Sequence, residues 1–283
     1  NLGRENALGE HLLPGLEPAG VPKALMGTAL PFRYNQLKEL ESILQSNRNE
    51  IAAIVMEPIR NEFPVAGFFE GVRRLASETG AVLIMDEISA AFRMNSGGAH
   101  LILGIDPDIA VFSKALGNGY PMAAIIGDSA IMEASQRSFI SSTYWTERIG
   151  PVAALATIKK HRKYDVGKHL MRIGQMIQDG WKSLFTKCGL SIHVGGITPM
   201  SHFTFEHEKS LVMKALFVQA MLEKGFLATT GFYAMFAHQE EHVKQYLDAV
   251  DQVLPLLCNA MENGHPEDFL IGQPAIAGFK RLN

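Results

Sequence analysis

AVLIMDEI (residues 81–88) is a short apolar run closed by two acidic residues and an isoleucine. An uninterrupted apolar run of this length reads as a strand buried on both faces, the kind found in parallel sheets. Upstream lies FFEGVRRLASETG (68–80), which has helical spacing and is stopped by Gly80. Before that, IAAIVMEP (51–58) is a second apolar run, ending in Glu57 and a proline, and QLKELESILQSNR (36–48) is a further helix. Downstream, GIDPDIAVFSKALGNGYP carries a short strand at about 109–113, and AAIIGD (123–128) is another. Strand, helix, strand, repeated with apolar strands, predicts an α/β fold with a mostly parallel sheet.

The texture changes further along. A helical stretch runs from about Glu147 to Phe185. Beyond it, SIHVGG, SHFTFE and FLATTGFYAMF are short strands interleaved with helices at about 208–223 and 239–262. This predicts a large domain over 1–187 and a smaller C-terminal α+β domain over 188–283. Residues 1–33 are rich in Gly and Pro and read as a loop or lid. The chain starts without a methionine and in mid-pattern, so it reads as a fragment whose N-terminal portion is missing.

The composition narrows the function. The chain has 283 residues, 47% hydrophobic and 19% charged, with a net charge of −3, which excludes disorder and argues against a nucleic-acid protein. No apolar run reaches the length of a membrane span, and the first residues lack a leader pattern. Cys188 and Cys258 are too few for a disulfide framework and have no metal-ligand spacing. They read as reduced thiols, which points to a cytoplasmic protein.

In open α/β sheets ligands bind at the carboxyl ends of the strands. Here those ends present Glu57, Asp86-Glu87 and Ser113-Lys114, followed by the glycine-bearing loop LGNGYP (116–121). A strand-end lysine can simply reach solvent along its apolar stem. Alternatively, desolvation makes it a Schiff-base nucleophile. Asp86, 28 residues before Lys114, is the carboxylate that a pyridinium nitrogen needs.

A rival reading takes AVLIMDE as the Mg²⁺-holding strand of a nucleotide hydrolase. Its phosphate loop is missing, since the sole Gly-Lys, Gly167-Lys168, is followed by His169 within a helical stretch. His238 and His242 are one helical turn apart, but a glutamine follows the first and no third ligand is evident. They read as part of an acidic helix start, and no metal is expected. Arg60 and Arg93 could clamp a substrate carboxylate, although structural pairing is the plainer role. Phe232, Tyr233 and Phe236 read as core of the small domain or as a border of the substrate pocket.

Four segments in order, IVMEPIRNE (54–62), LIMDEISAAFR (83–93), FSKALGNGYP (112–121) and STYWTERIGP (142–151), resemble the class III aminotransferases, most closely the glutamate-1-semialdehyde 2,1-aminomutase-like branch. The resemblance runs from about Pro31 to the C-terminus. It implies fold type I, pyridoxal 5′-phosphate (PLP) as cofactor, small-molecule amine and keto or aldehyde substrates, and a homodimer with the active site at the interface. Lys114 would form the Schiff base with PLP and then shuttle the proton. Asp86 would pair with the pyridine nitrogen, Ile88 would pack on the ring, and Ser89 would lie near the ring's 3-hydroxyl. Thr146 would bind the cofactor phosphate of the neighbouring subunit, with Thr143 as the alternative register. Glu62 occupies a position where some relatives keep a substrate-gating carboxylate, and it reads equally as a solvated turn residue. The phosphate cup and ring-stacking aromatic of the family belong upstream of the matched region. The competing expectation is a truncated, non-catalytic chain that serves as a dimerisation module.

Overall fold

The computed structural model describes residues 22–25 and 27–274. The expected loop or lid over 1–33 therefore lies, for 1–21 and 26, outside the described residues. Lys23–Leu25 form a single 3-10 turn.

The first sheet has four strands in the order β1 (Ala53–Met56), β2 (Val82–Asp86), β3 (Ile109–Phe112), β4 (Ala124–Gly127). β1, β2 and β3 are parallel, and β4 runs antiparallel to β3. The alternation of the strands decides what is covered. Ile54, Met56, Leu83, Met85, Ala110 and Phe112 are buried on one face. Against the β1 and β2 part of that face pack Leu40 and Leu44 of α1 (Leu37–Ser46) and Phe68, Phe69, Val72, Leu75 and Ala76 of α2 (Phe68–Thr79). Each buried Phe contributes about 1.5–3 kcal/mol. Gly80 ends α2 with φ +71°, the left-handed C-terminal turn that glycine adopts without strain. On the opposite face Val55 and Ile125 stay exposed among the described residues.

Short α3 (His100–Leu103) lies between β2 and β3, and short α4 (Ser129–Met132) follows β4. The helical stretch expected from about Glu147 to Phe185 is two helices, α5 (Ile149–Lys163) and α6 (Val166–Lys187). The break falls at Tyr164-Asp165, where Asp165 adopts φ +47° and so cannot continue a right-handed helix.

α6 buries Leu170, Ile173, Ile177, Trp181 and Phe185, one helical stripe. The stripe faces a second, antiparallel sheet of β5 (Ile192–Gly195), β6 (Met200–Phe205) and β7 (Gly231–Tyr233). α7 (Ser210–Glu223) and α8 (Glu240–Glu262) complete this core around Phe203 and Phe217. This unit docks on the carboxyl edge of the first sheet. Ile197 and Met200 pack with Ile59, Ala90, Met94 and Ala99. Gly196 N–H donates to the Asn61 carbonyl at 3.0 Å. Among the described residues no helix is long and apolar enough to cross a membrane.

Candidate active site

Parallel pairing sets Asp86 beside Val111 of β3, so the carboxyl ends of β2 and β3 lie together. Lys114 opens a 3-10 turn two residues past the end of β3. Its φ of +48° is a left-handed conformation, strained for any residue with a Cβ. The backbone is held on both sides. Ser113 Oγ donates to the Met122 carbonyl at 2.9 Å, and Asn118 N–H returns to the Lys114 carbonyl at 3.0 Å. So placed, Lys114 Nζ donates to Ser89 Oγ at 2.6 Å. Ser89 is buried, and it belongs to the turn that follows β2. In that turn Ile88 N–H donates to Asp86 Oδ1 at 3.0 Å, which fixes the carboxylate, and its second oxygen accepts no hydrogen bond among the described residues. Asp86, Ile88, Ser89 and Lys114 are thus brought to one place by two adjacent strand ends.

Glu87 does not join them. The pleat turns it to the opposite side, where it is fully buried. Its carboxylate accepts from Ala99 N–H (2.9 Å), His100 N–H (2.8 Å) and His100 Nδ1 (2.7 Å). Glu87 therefore ties the start of α3 to the turn that carries Asp86 and Ser89. Sequence reading gave no sign of this beyond the alternation along β2, because the partner His100 lies 13 residues away.

Glu57, at the end of β1, pairs through Oε1 with Arg60 at 2.8 Å, and its Oε2 is buried without a hydrogen-bond partner among the described residues. A cavity of about 980 Å³ lies along β1, lined in part by Ile54, Met56, Glu57, Arg60 and Glu62. It follows the sheet's β1 edge and does not contain Lys114.

The sequence pattern of the class III aminotransferases matches residues 13–254. The chain belongs to the class III aminotransferase family. Among its curated relatives, glutamate-1-semialdehyde 2,1-aminomutase of Roseiflexus castenholzii (strain DSM 13941 / HLO8) is 32% identical over 87% of this chain and 61% of its own length. The 2′-deamino-2′-hydroxyneamine transaminase of Streptomyces kanamyceticus is 31% identical over 82% of this chain and 58% of its own. The 3-aminobutyryl-CoA aminotransferase of Cloacimonas acidaminovorans (strain Evry) is 28% identical over 83% and 60%. The chain thus spans about 60% of the length of the curated relatives it matches. Among solved structures, the PLP internal aldimine form of FumI from Sphingopyxis sp. MTA144 superposes with a TM-score of 0.79 at 23% identity, covering 85% of this chain and 60% of that one. An omega-transaminase from Sphaerobacter thermophilus gives 0.76 at 21%, covering 88% and 62%. These likenesses show the fold, fold type I.

In this class III aminotransferase chain the donor set suits PLP. An amine can condense with the aldehyde, a carboxylate can face the ring nitrogen, and a buried hydroxyl stands beside the amine. Thr146 makes no hydrogen bond to this set. It is exposed in the 143–146 turn before α5 and makes no hydrogen bond among the described residues, and Thr143 is exposed in the same turn. The next residue, Glu147, caps α5 by accepting from Ile149 N–H at 2.7 Å, which draws its carboxyl below the usual range. Glu62 is exposed. Its charge is the lesser cause, after burial, of the raised Tyr34 hydroxyl pKa, so it sits near Tyr34.

Arg93 is partly buried, and burial lowers its pKa. Its Nε donates to the Ser89 carbonyl at 3.2 Å, and its guanidinium lies 5.5 Å from the Tyr233 ring centroid. Tyr233 is thus an exposed residue bordering the site, whereas Phe232 stacks on His238. His242 Nδ1 accepts from Gln239 N–H at 3.1 Å as part of the cap of α8, and among the described residues no group of three or more ligand-type side chains could hold a metal.

Proposed function

We propose that this protein catalyses PLP-dependent amino-group transfer, as an aminotransferase or a 2,1-aminomutase, with Lys114 as the residue that binds the cofactor covalently. The observation that carries the reading is the 2.6 Å contact of Lys114 Nζ with Ser89 Oγ, beside Asp86 at the end of the neighbouring strand. When bound, PLP supplies an electron sink that stabilises negative charge at the substrate α-carbon. Asp86 keeps the proton on the pyridine nitrogen through its second carboxylate oxygen. Ile88, next to it in the turn, packs on the ring. Ser89 orients Lys114 Nζ and stands near the 3-hydroxyl. Lys114 Nζ would hold the cofactor covalently and would be the base that takes and returns the proton at the substrate α-carbon.

The substrates in this reading are a small-molecule amine and a keto or aldehyde acceptor, with no nucleic acid or membrane involved. The protein acts as a cytoplasmic homodimer with the active site at the interface, and Thr146 serves the phosphate of the neighbouring subunit. A strip of exposed apolar residues supports the dimer: Phe139, Tyr144 and Trp145 precede α5, and Ile149, Val152 and Leu155 lie along it. In this reading 1–187 is the cofactor-binding domain and 188–283 the smaller one, with α6 of the first packed against the sheet and helices of the second.

The test is amino transfer by the full-length protein from a panel of amines to 2-oxo acids, with isomerisation of a 2-amino aldehyde to the 1-amino-2-ketone as the aminomutase arm. Turnover that Lys114→Ala removes supports the reading. PLP-independent turnover that survives Lys114→Ala contradicts it.

A further inference from the structure

We propose that Arg93 is the carboxylate-recognition residue of this site, so that the favoured substrates are amines and carbonyl compounds bearing a carboxylate; this rests on the amino-transfer reading for its reaction, though not for the binding itself. Arg60, Arg73 and Arg74 each have a carboxylate partner, Glu57, Asp108, and Glu41 with Glu78, respectively. Arg93 has none among the described residues, although it is more enclosed than Arg60 or Arg74. A guanidinium carries five N–H donors. Among the described residues only one of Arg93's is committed, Nε to the Ser89 carbonyl at 3.2 Å. A partly desolvated cation with four open donors gains most from an anion.

The geometry selects the kind of anion. Nε is pinned, and the Tyr233 ring lies 5.5 Å from the guanidinium carbon. The terminal Nη1–Nη2 edge makes no hydrogen bond among the described residues, and such an edge grips a carboxylate with two parallel hydrogen bonds. Ser89 places it at the reacting centre. Its carbonyl receives Arg93 while its hydroxyl receives Lys114 Nζ at 2.6 Å. One residue therefore separates the group that would bind the carboxylate from the group that would move the proton. Tyr233 comes from the second sheet, so the two units of the fold meet at this point.

The test is phenylglyoxal labelling of Arg93 in the full-length protein, located by peptide mass spectrometry, with glutarate as the carboxylate, pentane-1,5-diol as its neutral counterpart, and inorganic phosphate as the competing oxyanion. Saturating glutarate should slow labelling of Arg93 by about ten-fold, the diol should not, and phosphate should protect less. The same protection should persist in Lys114→Ala, so it is read whether or not the protein transfers amino groups. In the active protein, Arg93→Gln should raise KM for a carboxylate-bearing amine at least ten-fold relative to its carboxylate-free analogue, and Arg93→Lys should recover part of that. Equal labelling with and without glutarate, protection by phosphate that matches glutarate, or an Arg93 unreactive before any anion is added would each overturn the proposal.

Discussion

Lys114 Nζ and Ser89 Oγ stand 2.6 Å apart although 25 residues separate them, because β2 and β3 are adjacent parallel strands. The lysine reaches the serine from a backbone that only glycine adopts freely, φ +48°. The fold therefore stores strain at the residue assigned the chemistry, which fits the clustering of such conformations at functional sites. Replacing the side chain should separate strain from function. Lys114→Gly should be more stable than Lys114→Ala by roughly 0.5–1 kcal/mol, the left-handed penalty less glycine's entropy. Equilibrium urea unfolding reads the difference, and an alanine variant more stable than the glycine variant would show that the turn is unstrained.

Glu87 should matter to the site without touching it. Its buried carboxylate satisfies three donors on Ala99 and His100. Glu87→Ala leaves them unpaired in the interior and should cost about 3 kcal/mol or more. Glu87→Gln keeps the shape and loses less. Urea unfolding of both variants checks the order. A Glu87→Ala protein within 1 kcal/mol of wild type would mean the network is not cooperative.

Stability should fall on mild acidification. His161, His202 and His238 are all held below their ordinary value of 6.5, in each case first by burial. For His161 this occurs despite its hydrogen bond to the Phe92 carbonyl and the nearby charge of Asp165. A histidine whose folded pKa is depressed binds its proton more readily when unfolded. Its contribution is complete above about 6.5, is lost as pH falls from there toward the folded value, and is flat below it. Unfolding free energy measured from pH 8 to pH 5 should therefore drop below about 6.5, and His161→Gln should flatten part of that slope. A slope unchanged in His161→Gln would exclude this histidine as a contributor.

Much of this was legible in the chain. The apolar runs marked β1, β2, β3 and β4, and Asp86 and Lys114 stood out as polar residues at the ends of two of them. What was hidden depended on distant partners. Glu87 read only as a strand-end acid beside Asp86, yet the pleat turns it away from the site to His100. The break at Asp165 sits inside unbroken helical spacing, and only its φ of +47° reveals it. Arg93 read as a structural cation or a carboxylate clamp, and its ring neighbour, Tyr233, lies 140 residues later, beyond the reach of local pattern. Thr146 faces outward, so its assigned role depends on a second subunit that one chain cannot supply.

The most direct measurement is reductive trapping. The full-length protein is saturated with PLP, treated with borohydride, digested and analysed by peptide mass spectrometry. A phosphopyridoxyl group at near-unit occupancy on Lys114, absent in Lys114→Ala, is the predicted result. Label spread over surface lysines, or a PLP-saturated protein with Lys114 unmodified, would contradict the assignment of Lys114 as the cofactor-binding residue.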